Sequence, residues 1–89
     1  MFDEYSEKFK ALGHPVRLQI VAGLSKKECN VTKMCEGLNL HQATVSRHLS
    51  ILKAAGIVEG VRNGSEICYY LVDKKIEQII NILGEGKNV

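Results

Sequence analysis

No apolar run in this sequence approaches the roughly 18 to 20 residues needed to cross a bilayer. The first ten residues, MFDEYSEKFK, are acidic where a secretory leader is basic and then apolar. A cytoplasmic protein with no membrane partner is therefore expected. There are three cysteines, and an odd count without a leader argues for free thiols rather than a disulfide framework. The sequence holds no glycine-rich loop to cradle phosphate and no set of nucleophile, base and orienting residue. At 89 residues it is also too short to build a substrate pocket beside a core, so it is not expected to be an enzyme. Low-complexity tracts and internal repeats are absent. The net charge of +2 is too small to identify a nucleic-acid partner by itself.

What is present is hydrophobic periodicity. A chain of this length supports one domain, residues 1–89, whose core is marginal and gains from a partner subunit. Phe2, Tyr5, Phe9 and Leu12 stand at helical spacing before Gly13, which predicts an amphipathic first helix with an aromatic stripe to cover. The single proline, Pro15, sits where a first helical turn tolerates a missing N–H, and Val16, Ile20, Val21 and Leu24 follow on one side. A second helix over 15–25 follows, with His14 as a helix-start residue. Asn30 suits the N-cap of a third helix, whose Val31, Met34, Cys35 and Leu38 face inward.

The stretch LHQATVSRHLSILKAAGIV, from Leu40 to Val58, carries the most information. Val45, Leu49 and Leu52 recur at i, i+4 and i+7, so a fourth helix over 41–55 buries them and turns Gln42, Ala43, Ser46, Arg47 and Ser50 outward. Gly56 stops it, and the period changes from 3.6 to 2. Ile57 to Val61 and Glu66 to Leu71 are strand-like, joined by Arg62-Asn63-Gly64-Ser65, whose Asn-Gly pair favours a tight turn. Asp73 to Leu83 is helical again through Ile76, Ile79, Ile80 and Leu83, with Asp73 as cap, and the tail from Gly84 to Val89 is expected to fray.

The fold class is mainly α with a β-hairpin wing, a winged helix-turn-helix whose third and fourth helices meet at a tight Asn39-Leu40 link. Short donors and acceptors on the fourth helix point to double-stranded DNA, with His41, Gln42, Thr44, Ser46 and Arg47 toward base edges and phosphates of the major groove. His48 lies close to the apolar face, where a packed histidine and a phosphate contact are both open. Arg62 and Asn63 at the wing tip suit the adjacent minor groove or backbone. Between Asn39 and Ser65, three basic residues, Arg47, Lys53 and Arg62, stand against Glu59 alone, so the whole net charge can sit at this end. Outer helices 2–12 and 73–83 carry more apolar surface than one small core covers, which predicts a homodimer and, from its two-fold symmetry, a palindromic operator.

With these residues in view the chain resembles the ArsR/SmtB family of winged-helix repressors over nearly its whole length. The resemblance rests on FKALGHPVRLQIVAGL at 9–24, ATVSRHLSILKAAGIV at 43–58 and NGSEICYYLV at 63–72. It implies a bacterial or archaeal repressor that leaves operator DNA when an inducer binds. Members that sense arsenic or soft metals carry a Cys-x-Cys pair at the start of the third helix, and matching on SRHL places Asn30 and Thr32 there. Members that bind zinc, cobalt or nickel through the last helix use several histidines and acidic residues, whereas DKKIEQIINILG has no histidine.

No metal is assigned, and the candidate thiol sensors are Cys29 and Cys35, open to a soft metal, a metalloid, an oxidant or a persulfide. Six residues apart, they differ by about 240° around a continuous helix and about 9 Å along it. A bridge between them would need the helix start to unwind. Cys68, in the second wing strand on the face of Tyr70, is expected to lie far from both. Two other readings stand beside the inducible repressor: a winged-helix module for protein interaction, and a constitutive repressor with no sensing site.

Overall fold

The computed structural model describes residues 2–84. The expected fraying from Glu85 onward lies outside those residues. In chain order the elements are α1 (Phe2–Leu12), α2 (Pro15–Ser25), α3 (Val31–Leu38), α4 (Gln42–Ala54), β1 (Val58–Asn63), β2 (Glu66–Leu71) and α5 (Lys74–Gly84). No helix among the described residues is long and apolar enough to cross a membrane.

Helix starts follow the capping chemistry of the sequence. His14 caps α2, its Nδ1 accepting the Val16 amide at 3.1 Å, with Pro15 in the first turn. Asn30 caps α3 by accepting the Lys33 amide at 3.0 Å. Asp73 Oδ1 accepts the amides of Lys75 and Ile76, at 2.9 and 3.1 Å, and so starts α5.

Three helices end alike. Past α4, the amide of Gly56 bonds the Lys53 carbonyl and that of Ile57 the Leu52 carbonyl, both at 3.0 Å, with Gly56 at φ +79°. This reversal is the Schellman arrangement, and it places Ile57 and Leu52, both fully buried, side by side. Asn39 after α3 and Lys27 after α2 repeat it with φ of 57° and 70°. Asparagine tolerates that conformation, and lysine adopts it at a cost. The reversal at Asn39 is what makes the link between α3 and α4 tight.

The hairpin is antiparallel, with Val58 opposite Leu71 and Asn63 opposite Glu66. Its turn differs from the four residues expected. Arg62 and Asn63 continue β1, and only Gly64 and Ser65 connect the strands. Positive φ occurs at Gly64 (69°) but not at Ser65, so glycine serves the first central position of the turn rather than Asn63-Gly64 serving both.

The core gathers Val45, Leu49 and Leu52 of α4 with Ile20, Val21 and Leu24 of α2, Ile57 and Val58 at the wing root, and Ile76 and Ile80 of α5. Burying each such side chain contributes roughly 1.5–3 kcal/mol before entropy is counted. The inward face of α3 falls where expected, but Val31, Met34, Cys35 and Leu38 are only half-buried.

Helix α1 departs further from expectation. Its buried residues are Lys8, Ala11 and Leu12, while Phe2 and Phe9 of the aromatic stripe stand 78% and 49% exposed. The buried face of α1 instead includes Lys8, which pairs with Asp73 in the interior, and it keeps Tyr5 and Leu12 of the stripe while the two phenyl rings lie outside this chain's core.

Candidate nucleic-acid interface

The reading surface begins at the α3 to α4 link. His41 occupies the N-cap of α4 in extended conformation, and its side chain makes no capping hydrogen bond. The first amides of α4 therefore have no side-chain cap, and they point in the direction in which a helix start attracts anions. From this end His41, Gln42, Ala43, Ser46, Arg47 and Ser50 are exposed, and Thr44 is half-buried. They are displayed because Val45, Leu49 and Leu52 anchor the opposite face in the core. Among the described residues, Arg47, Lys53 and Arg62 form no ion pair, so their charges remain available to phosphate.

His48 sits on the margin between the two faces, and the structure places it in a packed network. Arg17 Nη1 lies 3.2 Å from His48 Nδ1, and the His14 ring lies 4.6 Å from that of His48, centroid to centroid. A guanidinium only donates, so Nδ1 must be the acceptor and His48 carries its proton on Nε2. Burial pushes the imidazole below its ordinary value, helped by the charges of His14, Arg17 and Arg47. Arg17 Nε also donates to the Ala11 carbonyl at the end of α1. Nothing in the sequence singles out Arg17, because VRLQIV reads only as helix.

In the wing, Arg62 pairs with Ile67 and Asn63 with Glu66, and both side chains are exposed beside the two-residue turn. Their strand backbone gives them a fixed exit direction, which a loose four-residue turn would not. The wing is tied to the start of α3. Asn30, besides capping that helix, donates through Nδ2 to Glu66 Oε1 at 3.0 Å, and the Tyr69 amide bonds the Cys29 carbonyl at 3.2 Å.

The cysteines correct the expectation of free thiols. Cys29 and Cys68 form a disulfide with their Cα atoms 4.8 Å apart, and Cys35 alone is a free thiol, half-buried. The reason is an isolated antiparallel bridge between Asn30 and Cys68, which lays the segment before α3 against β2. Sequence spacing carried no sign of this, because a pairing between a loop residue and a strand 39 positions away is set only when the hairpin folds back. Cys29 and Cys35, the suspected sensor pair, are not joined to one another. No group of three or more histidine, cysteine or acidic side chains able to hold a metal occurs among the described residues.

Comparison with known proteins fits this geometry. A family model described as "Bacterial regulatory protein, arsR family" matches residues 14–60. The HTH-type transcriptional regulator MJ1325 of Methanocaldococcus jannaschii is 39% identical over 85 residues, covering 94% of this chain and 96% of that protein. The transcriptional repressor SmtB of Mycobacterium tuberculosis is 40% identical over 80 residues, covering 90% of this chain but only 59% of the longer repressor. The solution structure of the homodimeric winged helix-turn-helix DNA-binding domain of Mb0332 from Mycobacterium bovis superposes with a TM-score of 0.84 at 27% identity, covering 92% of this chain and 76% of that one.

Proposed function

Since this chain belongs to the arsR family of bacterial regulatory proteins, we propose that it is a homodimeric repressor that holds palindromic operator DNA with two copies of α4 and two wings. The observation that carries the reading is the uncapped, exposed start of α4, with Gln42, Ser46 and Arg47 presented by a buried opposite face. In the major groove, Arg47 suits guanine or phosphate and Gln42 suits adenine, while His41, Thr44 and Ser46 supply shorter polar contacts. Arg62 and Asn63 reach the flanking minor groove or backbone from the wing. His48 serves from behind, setting the roll of α4 through Arg17 and His14.

The dimer is supported by the apolar residues left outside the core. Phe2 and Phe9 of α1 and Ile82 and Leu83 of α5 are exposed on the two helices that Lys8 and Asp73 join. A second copy covering them would fix the distance between reading heads, and half-sites about one DNA turn apart tolerate little change in that distance. Small shifts of the heads then suffice for release.

The test is duplex binding measured by anisotropy on genomic fragments selected by the protein. Log affinity should fall with log salt by about 0.9 per phosphate contact. Arg47→Ala should cost about 1–3 kcal/mol. A salt-independent interaction would point to a protein-interaction module instead, and unchanged affinity for Arg47→Ala at fixed salt would remove Arg47 from the contacts.

A further inference from the structure

The disulfide joins Cys68 of the wing to Cys29, which borders an open groove. The groove, about 790 Å³, runs between α2 and α3, with Ile20 and Met34 among its apolar walls and Lys27, Lys33, Glu28 and Cys29 around it. Cys68 is not among its lining residues. Such a volume lies in the range that takes a small ligand. Two exposed ammonium groups stand against one carboxylate, so the groove favours an anion. Both cysteines are half-buried rather than enclosed, and of the two it is Cys29 that lines the groove.

We propose that this groove is a thiol–disulfide exchange site, in which an anionic low-molecular-weight thiol docks against Lys27 and Lys33, attacks Cys29 and so unlatches the wing from α3. The incoming thiolate forms a new S–S bond with Cys29 Sγ as the bond to Cys68 breaks. The electron pair leaves on Cys68 Sγ, which takes a proton from water. A second thiol then attacks the sulfur of the bound thiol, releasing Cys29 as a thiolate and the small molecule as its own disulfide. Two small thiols are oxidised and one protein disulfide is reduced. The lysines act twice, by holding the carboxylates or phosphates of the thiol and by favouring its ionised, attacking form.

The consequence for the fold is local. With the covalent tie broken, the wing is held to the start of α3 by the Tyr69 amide on the Cys29 carbonyl and by Asn30 on Glu66, the latter in solvent. The tied wing has its orientation fixed before DNA arrives, so the disulfide form binds more tightly than the reduced form. This consequence rests on the DNA-reading role proposed above, whereas the exchange chemistry does not.

Two measurements separate them. Protein oxidised to the Cys29–Cys68 form is treated with glutathione, quenched with acid and mapped by mass spectrometry. Glutathione should sit on Cys29 with Cys68 free. Lys27→Glu with Lys33→Glu should slow glutathione and speed the cationic thiol cysteamine, and on reduction the Tyr69 amide should exchange its hydrogen faster. An adduct on Cys68, rates indifferent to the charge reversal, or an unchanged Tyr69 amide overturns the proposal.

In the second measurement, oxidised protein should bind selected duplex roughly fivefold more tightly than reduced protein, the low end of ordinary coupling between sites. Cys29→Ser with Cys68→Ser should match the reduced form under all conditions, and Cys35→Ser should behave as wild type. Equal duplex affinity in both redox states overturns the latch. Absence of duplex binding in every form instead counts against the DNA assignment, and the latch is then decided by the Tyr69 exchange rate.

Discussion

Lys8 in α1 donates to Asp73 at the head of α5, a pairing between residues 65 positions apart that is buried on both sides. Glu4, one helical turn before Lys8, adds a second carboxylate at 3.2 Å. The pair joins the two outer helices, and the aliphatic stem of Lys8 passes Gly56, its Cε 3.7 Å from where a side chain there would begin. Asp73 thus has two roles: one oxygen caps α5 and the other holds Lys8.

The pair should give stability a dependence on pH at both extremes. Hydrogen bonding to Asp73 raises the Lys8 ammonium above its ordinary 10.5, against the opposing effect of burial. For Asp73, burial pushes upward, but the bond from Lys8 and the amides of Ile76 and Lys75 prevail and hold the carboxyl below 3.8. The Lys8 contribution is complete below pH 10.5 and is lost as pH rises through its folded value. That of Asp73 is complete above pH 3.8 and is lost as pH falls through its folded value. Urea unfolding of Lys8→Ala at neutral pH should show a loss of about 1–3 kcal/mol, the usual penalty of an unpaired buried polar group. A Lys8→Ala protein as stable as wild type would remove the pair from the account.

His48 should set a second pH dependence. Its imidazole is held below the ordinary 6.5, so the folded chain takes up its proton later than the unfolded chain does. The contribution is whole above pH 6.5 and shrinks as pH falls below it. Protonating Nδ1 also breaks the bond from Arg17. Thermal unfolding followed from pH 7.5 to 5 should show a shallower decline for His48→Gln than for wild type. His14 remains in the variant, still capping α2 through its own Nδ1. Identical slopes would mean that His48 is indifferent to its neighbours.

Dimerisation should depend on the exposed apolar residues of α1 and α5. Phe9→Glu combined with Leu83→Glu should yield monomers by sedimentation velocity at concentrations where the unaltered chain is dimeric. The two side chains are 49% and 68% exposed within one chain, so the substitutions leave the core intact and the circular dichroism of the monomer should be native. A double variant that still sediments as a dimer would place the two-fold interface elsewhere.

Local rules were enough for the elements and for the outward set on α4. Pro15, Asn30, Gly56 and Asp73 mark boundaries through backbone chemistry that acts within a turn or two, and the spacing of Val45, Leu49 and Leu52 fixes which side of α4 is buried. Even the one local error, the turn at Arg62 to Ser65, is a slip of register rather than of element type, since Gly64 alone meets the demand for positive φ.

Contacts closed across the chain were decided by the tertiary structure alone. The burial of Lys8 on α1 depends on its finding an aspartate 65 residues away. The position of His48 depends on Arg17 and His14 arriving from α2 and its cap. The bond between Cys29 and Cys68 depends on β2 folding back along the entry to α3. Periodicity records which side of an element avoids water, because that preference belongs to each residue. It does not record which polar groups meet when those sides close together, because that depends on the placement of every element at once.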